Sequence, residues 1–214
     1  MSIIKNILNS KIKYFYLIAF LLVLLDQATK LAVKGFNFGG FEHQGLNYGE
    51  LIPIIGSFLQ LTFIENPGMA FGIHFGMIGK FFLSLFSVIA SIGLVYLIYK
   101  LKDFHFAVRL GFSLILAGAF GNLIDRVFYG VIFGYGPLFY GLVVDFIQVD
   151  IPDINLGFYS LTHWPVFNIA DSCVTIGVSI LVLFYNKIPT FTQLFPNKKA
   201  TSSQENTSEN SPQN

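Results

Sequence analysis

An all-α membrane protein is the fold class this chain predicts: four transmembrane helices in a bundle, a small extracytoplasmic β-sheet or cradle, and an interfacial loop or helix on the outer leaflet. Three observations carry that expectation. Of 214 residues, 54% are hydrophobic and only 12% charged, about half the charged share of a soluble domain, and the mean hydropathy is +0.64. Four segments, at about 14–33, 81–99, 106–125 and 167–186, have the length or pattern of a span, and four spans of roughly 20 residues would use about 80 residues. The polar residues that interrupt these spans gather near one end of each.

The first segment follows Lys5, Lys11 and Lys13 and could pass for a cleaved leader. Its apolar run from Tyr14 to Leu25 instead leads into Asp26, Gln27 and Lys30 with no small-residue cleavage site behind it, so it reads as a retained helix. The second is the cleanest, with no charge between Lys80 and Lys100. The third carries Arg109 and Asp125, and the fourth carries Asp171. Pro165 fits at or just before the first turn of the fourth, and Asn168 is placed to cap it.

Threading the spans in order puts Lys5, Lys11, Lys13, Lys100, Lys102, Lys187, Lys198 and Lys199 on one side, and leaves Lys34, Lys80 and Arg126 on the other. The positive-inside rule then places both termini in the cytoplasm and the loops 34–80 and 126–166 outside. In the first outer loop, Phe58 to Ile64 partly alternates and runs into Asn66-Pro67-Gly68, a turn in which Gly supplies a positive φ, so a small sheet is expected. The second is broken by Gly134, Gly136, Pro137, Gly141, Pro152 and Gly157 and is rich in Phe and Tyr, which predicts a segment lying at the interface. Residues 1–186 make one domain, and the polar stretch 187–214 is expected to be a disordered tail.

The net charge of +1 gives no basic field for a nucleic-acid partner. The single cysteine, Cys173, excludes an intrachain disulfide and a cysteine metal cluster. His43, His74, His105 and His163 show no metal-ligand spacing, so no metal and no cofactor are expected. Trp164 reads as an interfacial anchor.

Ionisable groups inside a membrane need a partner or a purpose. The threading puts Asp26, Lys30, Asn122, Asp125, Arg126, Asn168 and Asp171 at the outer ends of their helices, at the depth of Asn66 and Asp145 in the outer loops. Helical spacing gives each set a shared face. Asp26 with Lys30 reads as a structural ion pair, and Asp125 beside Arg126 as a scaffold pair or hydrogen-bond orienter. Asn66, Asn122 and Asn168 read singly as interhelical bonds. Asp145 and Asp171 have no nearby cation in sequence, and two unpaired carboxylates at one depth point to acid and base work.

These motifs resemble a known family. Asp26-Gln27-Ala28-Thr29-Lys30, Asn66-Pro67-Gly68-Met69-Ala70-Phe71, Gly121-Asn122-Leu123-Ile124-Asp125-Arg126, Val143-Val144-Asp145-Phe146 and Phe167-Asn168-Ile169-Ala170-Asp171-Ser172 stand in the order seen in lipoprotein signal peptidases, or signal peptidase II. The resemblance covers roughly residues 14–186. It implies an aspartic endopeptidase of the bacterial inner membrane that cuts diacylglyceryl-modified prolipoproteins on the amino side of the lipidated cysteine. It implies Asp145 and Asp171 as the catalytic pair, with Asp26, Lys30, Asn66, Gly68, Asn122, Asp125, Arg126, Asn168 and Ala170 building and supporting the site. It further implies a monomer embedded in membrane lipid and inhibited by globomycin-type cyclic peptides. The chain departs from the family pattern in an extra stretch around Ile132 to Tyr140 and a longer segment near 150–161.

A proton-coupled transporter could also place Asp, Lys and Arg in a bundle, but such proteins usually show repeated halves and midplane sites. Here no repeat is visible. A structural subunit would need none of these carboxylates.

Overall fold

The computed structural model describes residues 11–68, 76–155 and 160–196. The motif residues Met69, Ala70 and Phe71, together with His74, lie outside them. Helix α1 (Lys13–Lys34) leads to the hairpin β1 (Gly35–Phe38) and β2 (Phe41–Gln44), then to β3 (Ile52–Ile55) and β4 (Leu59–Asn66). Helix α2 (Gly76–Lys100) and helix α3 (Phe106–Ile124) follow. A π-helical turn over Asp125–Tyr129 and one further turn, Gly130–Ile132, prolong α3. Strands β5 (Val143–Asn155) and β6 (Ser160–His163), helix α4 (Ile169–Leu183) and the short α5 (Phe191–Leu194) complete the chain.

Three helices, Lys13–Lys34, Gly76–Lys100 and Phe106–Ile132, are long and apolar enough to cross a membrane. Helix α4 is apolar but has only 15 residues, about 22 Å at 1.5 Å per residue. It starts two residues later than expected because Asn168 caps it, and it ends at Leu183 rather than 186. The outward faces of α1 and α2 carry exposed Leu17, Phe20, Leu21, Leu24, Phe82, Phe86, Ile89 and Ile92. So large an apolar surface suits lipid and not water.

Helix α3 is the axis, packing against α1, α2 and α4. Small residues allow this: a Cβ at Gly177 would lie 2.6 Å from the Gly111 carbonyl oxygen, and one at Gly121 would lie 2.6 Å from Asp26 Oδ2. Close backbone approach through small residues is how helices associate where lipid removes the hydrophobic drive. One apolar cluster gathers Phe15, Ala19, Ile98, Leu116, Ala117 and Cys173. A second gathers Val33, Phe63, Tyr129, Val144 and Phe146 where the helices meet the sheet. Asp26 and Lys30 on α1, and Asp125 just after α3, fall between these two clusters.

The four-stranded sheet has the order β3-β4-β5-β6, antiparallel throughout. Its first half was expected from Phe58 to Ile64. Its second half corrects the reading of 126–166 as an interfacial loop or helix, because 143–155 and 160–163 are strands. The β-branched run Val143 to Ile151 carries that preference, and pairing with β4 satisfies its backbone. The tail also differs from expectation over Phe191–Leu194, where a helical turn leads into Phe195, which stacks on Tyr96 at 6.3 Å. Residues from 197 onward lie outside the described residues.

Candidate active site

Lys30 is the hub of the buried polar network. Its ammonium sits 2.8 Å from Asp26 Oδ2 and 2.7 Å from Asp125 Oδ2, and it donates to Asn122 Oδ1 at 3.0 Å. All three charged groups are at most 1% exposed. The helical spacing of 26 and 30 delivers the first pair; helix crossing delivers the second. Asp125 was expected either to pair with its neighbour Arg126 or to orient hydrogen bonds; its ion pair among the described residues is with Lys30, and it accepts from Gln27 and the Val144 amide. Adjacent helical residues point apart, so Asp125 turns inward to Lys30 on another helix.

The π-helical turn over Asp125–Tyr129 shifts the register at that point. Within it Asp125, Val127 and Tyr129 are all buried. The backbone carbonyls of Arg126 and Val127 accept from Gly141 N at 2.9 Å and Phe139 N at 3.1 Å. Arg126 itself is half-buried, and its Nε is buried without a hydrogen-bond partner among the described residues.

Sequence reasoning assigned no role to Gln27, yet its amide donates to Asp125 Oδ1 at 2.9 Å, the Gly121 carbonyl at 3.0 Å and Asp26 Oδ2 at 3.2 Å. Tyr129, also missed, donates its hydroxyl to Gln27 Oε1 at 3.1 Å. An amide beside a charge inside an apolar helix was the available signal. Two backbone amides complete the carboxylates' shells: Ala170 N donates to Asp26 Oδ1 at 2.9 Å and Val144 N to Asp125 Oδ2 at 3.2 Å.

Two asparagines connect this cluster to Asp145 and Asp171. Asn122 Nδ2 donates to Asp171 Oδ1 at 2.8 Å, while its Oδ1 accepts from Lys30 and from Asn168. Asn168, fully buried, donates from Nδ2 to Asp145 Oδ1 at 2.7 Å and accepts Asp171 N on its own Oδ1 at 2.9 Å. Asp171 returns the bond by accepting Asn168 N at 3.3 Å. This reciprocal capping box is the cap the sequence led one to expect, and its Asn also clamps the second carboxylate.

Strand register explains why Asp145 arrives there. Asn66 is opposite Val143 and Ile64 is opposite Asp145, so Asn66 and Asp145 are diagonal neighbours on one face. Asn66 Nδ2 donates to Asp145 Oδ2 at 3.2 Å, and its Oδ1 accepts Gly68 N at 2.9 Å. Phe167 bridges to Ile147, tying the start of α4 to β5. The structure thus gathers Asp26, Lys30, Asn66, Gly68, Asn122, Asp125, Asp145, Asn168, Ala170 and Asp171 into one network.

Burial, and then the negative charge of Asp171, pushes the Asp145 carboxyl up to about 7, against the pull of Asn66, Lys30 and Asn168. Two carboxylates in mutual repulsion at a water-poor boundary hold a shared proton cheaply. Such a pair can serve as acid and base at once.

Over residues 18–187 the chain matches the model of the family described as signal peptidase (SPase) II. A lipoprotein signal peptidase of Porphyromonas gingivalis is 38% identical over 193 residues, which cover 77% of this chain and 79% of that protein. One of Chlorobaculum tepidum is 39% identical over 175 residues, covering 81% and 94%. Two solved structures described as bacterial membrane enzymes also align. The one at 1.9 Å resolution has a TM-score of 0.59 and 33% identity over 84% of this chain and 97% of that one. The one at 2.3 Å has a TM-score of 0.59 and 28% identity over 96% of each.

Proposed function

The chain belongs to the signal peptidase II family, and on that footing we propose that Asp145 and Asp171 form the catalytic pair of an aspartic endopeptidase. Membership makes it a protease that removes signal peptides from prolipoproteins, and it is a bacterial membrane protein. The observation that carries the catalytic reading is Asn168, which donates its side-chain amide to the Asp145 carboxylate and its backbone N–H to the Asp171 carboxylate. In this reading Asp145 starts with the proton. Asp171 takes a proton from water as the oxygen adds to the scissile carbonyl, and Asp145 gives its proton to the carbonyl oxygen. Collapse of the tetrahedral intermediate returns that proton to the pair and sends one to the leaving amine. Asn122, Asn168 and Asn66 orient the two carboxyls, and Lys30 fixes Asn122.

The substrate in this reading carries a diacylglyceryl group on its cysteine, and the cut falls on the amino side of that residue at the outer face of the inner membrane. The lysine distribution supports cytoplasmic termini. Globomycin-type cyclic peptides would compete for the site, and a monomer holds all of its residues. Acyl chains kept at leaflet depth would register the peptide against the pair, which is catalysis by position. Cleavage of a diacylglyceryl prolipoprotein by the detergent-purified chain is therefore expected to exceed that of the unlipidated precursor by roughly 100-fold. Equal turnover of the two forms would remove the lipid from the mechanism.

The raised carboxyl sets a pH dependence. Above about 7 Asp145 loses the proton it must donate, so the rate falls on the alkaline side. A bell-shaped kcat/KM profile with its alkaline limb near 7 is expected, and a flat profile from pH 4 to 9 would contradict the pair.

A further inference from the structure

We propose that Lys80 forms an anion-accepting subsite that reads an acidic side chain in the first residues of the mature segment, just after the lipidated cysteine. The inference rests on the peptidase reading above. A cavity of about 630 Å³ opens between the start of α2 and the loop that precedes β5, lined by Gly68, Met77, Lys80, Tyr135, Pro137 and Tyr140 among others. That volume is in the range of ligand sites. Among the described residues Lys80 is the only charged one lining it. It is half-buried, and no carboxylate among the described residues pairs with it. An ammonium held in an apolar cavity without a counter-ion favours a ligand that brings one.

The wall opposite Lys80 belongs to the stretch by which this chain departs from the family pattern, and it is firmly built. Ser84 donates to the Phe139 carbonyl at 3.0 Å, and Phe81 packs on Phe139 and Tyr140 at 5.8 and 6.4 Å. Tyr135 and Gly136 donate their amides to the Gly130 carbonyl. Lys34, paired with Glu65, lies 4.4 Å from the Phe133 ring centroid and 5.3 Å from that of Tyr135. Phe139 holds a φ of 73°, a left-handed conformation that a bulky residue keeps only where its surroundings over-determine it.

The location fixes which part of a substrate would fill this cavity. Gly68 lines it, and two hydrogen bonds run from the Gly68 amide through Asn66 to Asp145. A peptide crossing that gap, at about 3.3–3.6 Å per residue, places a side chain in the cavity within roughly three residues of the scissile bond. The cavity lies at the outer start of α2, the side toward which the mature segment continues, whereas the signal peptide runs back into the membrane.

The test uses the full chain in zwitterionic nanodiscs and diacylglyceryl peptides carrying Asp, Asn or Lys at each of the first three positions after the cysteine. Each enzyme is scored by its own ratio of kcat/KM between peptides. Wild type is expected to prefer Asp over Lys at one position by roughly fivefold to tenfold, the scale of a charge-assisted contact at a half-buried site. Lys80→Glu is expected to invert the ratio, a gain that misfolding cannot produce, and Lys80→Met is expected to flatten it. Absence of a charge preference in wild type, or a preference that survives in Lys80→Glu or Lys80→Met, would overturn the subsite while leaving the peptidase reading intact. A Lys80 dependence seen only with phosphatidylglycerol in the disc would assign the anion to a lipid headgroup and overturn the peptide assignment. Cleavage of no peptide by wild type would overturn the peptidase reading and the subsite with it.

Discussion

Asp145→Asn and Asp171→Asn are each expected to lower kcat by roughly 10²- to 10⁴-fold, the range that proton transfer by a positioned group supplies, while leaving the fold in place. The amide keeps an oxygen where Asn168 Nδ2 bonds Asp145 and where Asn122 Nδ2 bonds Asp171. What it loses is the exchangeable proton and the negative charge. Both variants should elute as wild type in detergent and melt near the same temperature. A gel-shift assay on a diacylglyceryl prolipoprotein reads the activity, and full turnover by either variant would move that role to another carboxylate. Because the pair acts as a unit, the double variant should be little worse than either single one.

Lys30→Met is expected to destabilise the chain by about 3–5 kcal/mol, the usual consequence of removing one partner from a buried charge cluster. That is a large fraction of the 5–15 kcal/mol that holds a typical domain. The side chains have similar length, so packing changes little. The substitution strands Asp26 and Asp125 in a site that is at most 1% exposed and releases the Asn122 oxygen from its cation. Thermal melting in detergent should show a large loss, and adding Asp125→Asn should recover part of it by removing one uncompensated charge. A Lys30→Met variant as stable as wild type would mean that the three charges do not act as one unit. The two experiments separate roles: lost turnover with an intact melt would assign the chemistry to the carboxylates at the sheet and the α4 start, and a lowered melt would assign the frame to those around Lys30.

Membrane class, the apolar helical segments and the shared helix face of Asp26 and Lys30 were legible because each is a local or one-dimensional property. Lipid demands about 20 apolar residues per span, charge asymmetry orients the spans, and helical periodicity puts Asp26 with Lys30 on one face. The five motifs carried the family. The cap on α4 was legible too, since Asn168 and Asp171 at i and i+3 can exchange bonds without help from the rest of the chain.

Partners chosen across space were not legible. Sequence adjacency left Asp125 either a pair with Arg126 or a hydrogen-bond orienter, and the crossing of α1 and α3 gave its ion pair to Lys30. Gln27 gained its role only because α3 presents Gly121 and Asp125 to it. The strand at 143–155 formed because β4 offered backbone groups to pair with, and it in turn paired with 160–163; strand preference depends on such neighbours more than on the segment itself. The register that sets Asn66 diagonal to Asp145, and the bridge from Ile147 to Phe167, then brought the two carboxylates to one asparagine. Sequence fixes which residues prefer a helix, a strand or the membrane, since those preferences are intrinsic to a short stretch of chain. Which partner each carboxylate meets is decided by helix crossing and strand register, because those contacts join residues as far apart as Asp26 and the Ala170 amide, 144 positions away.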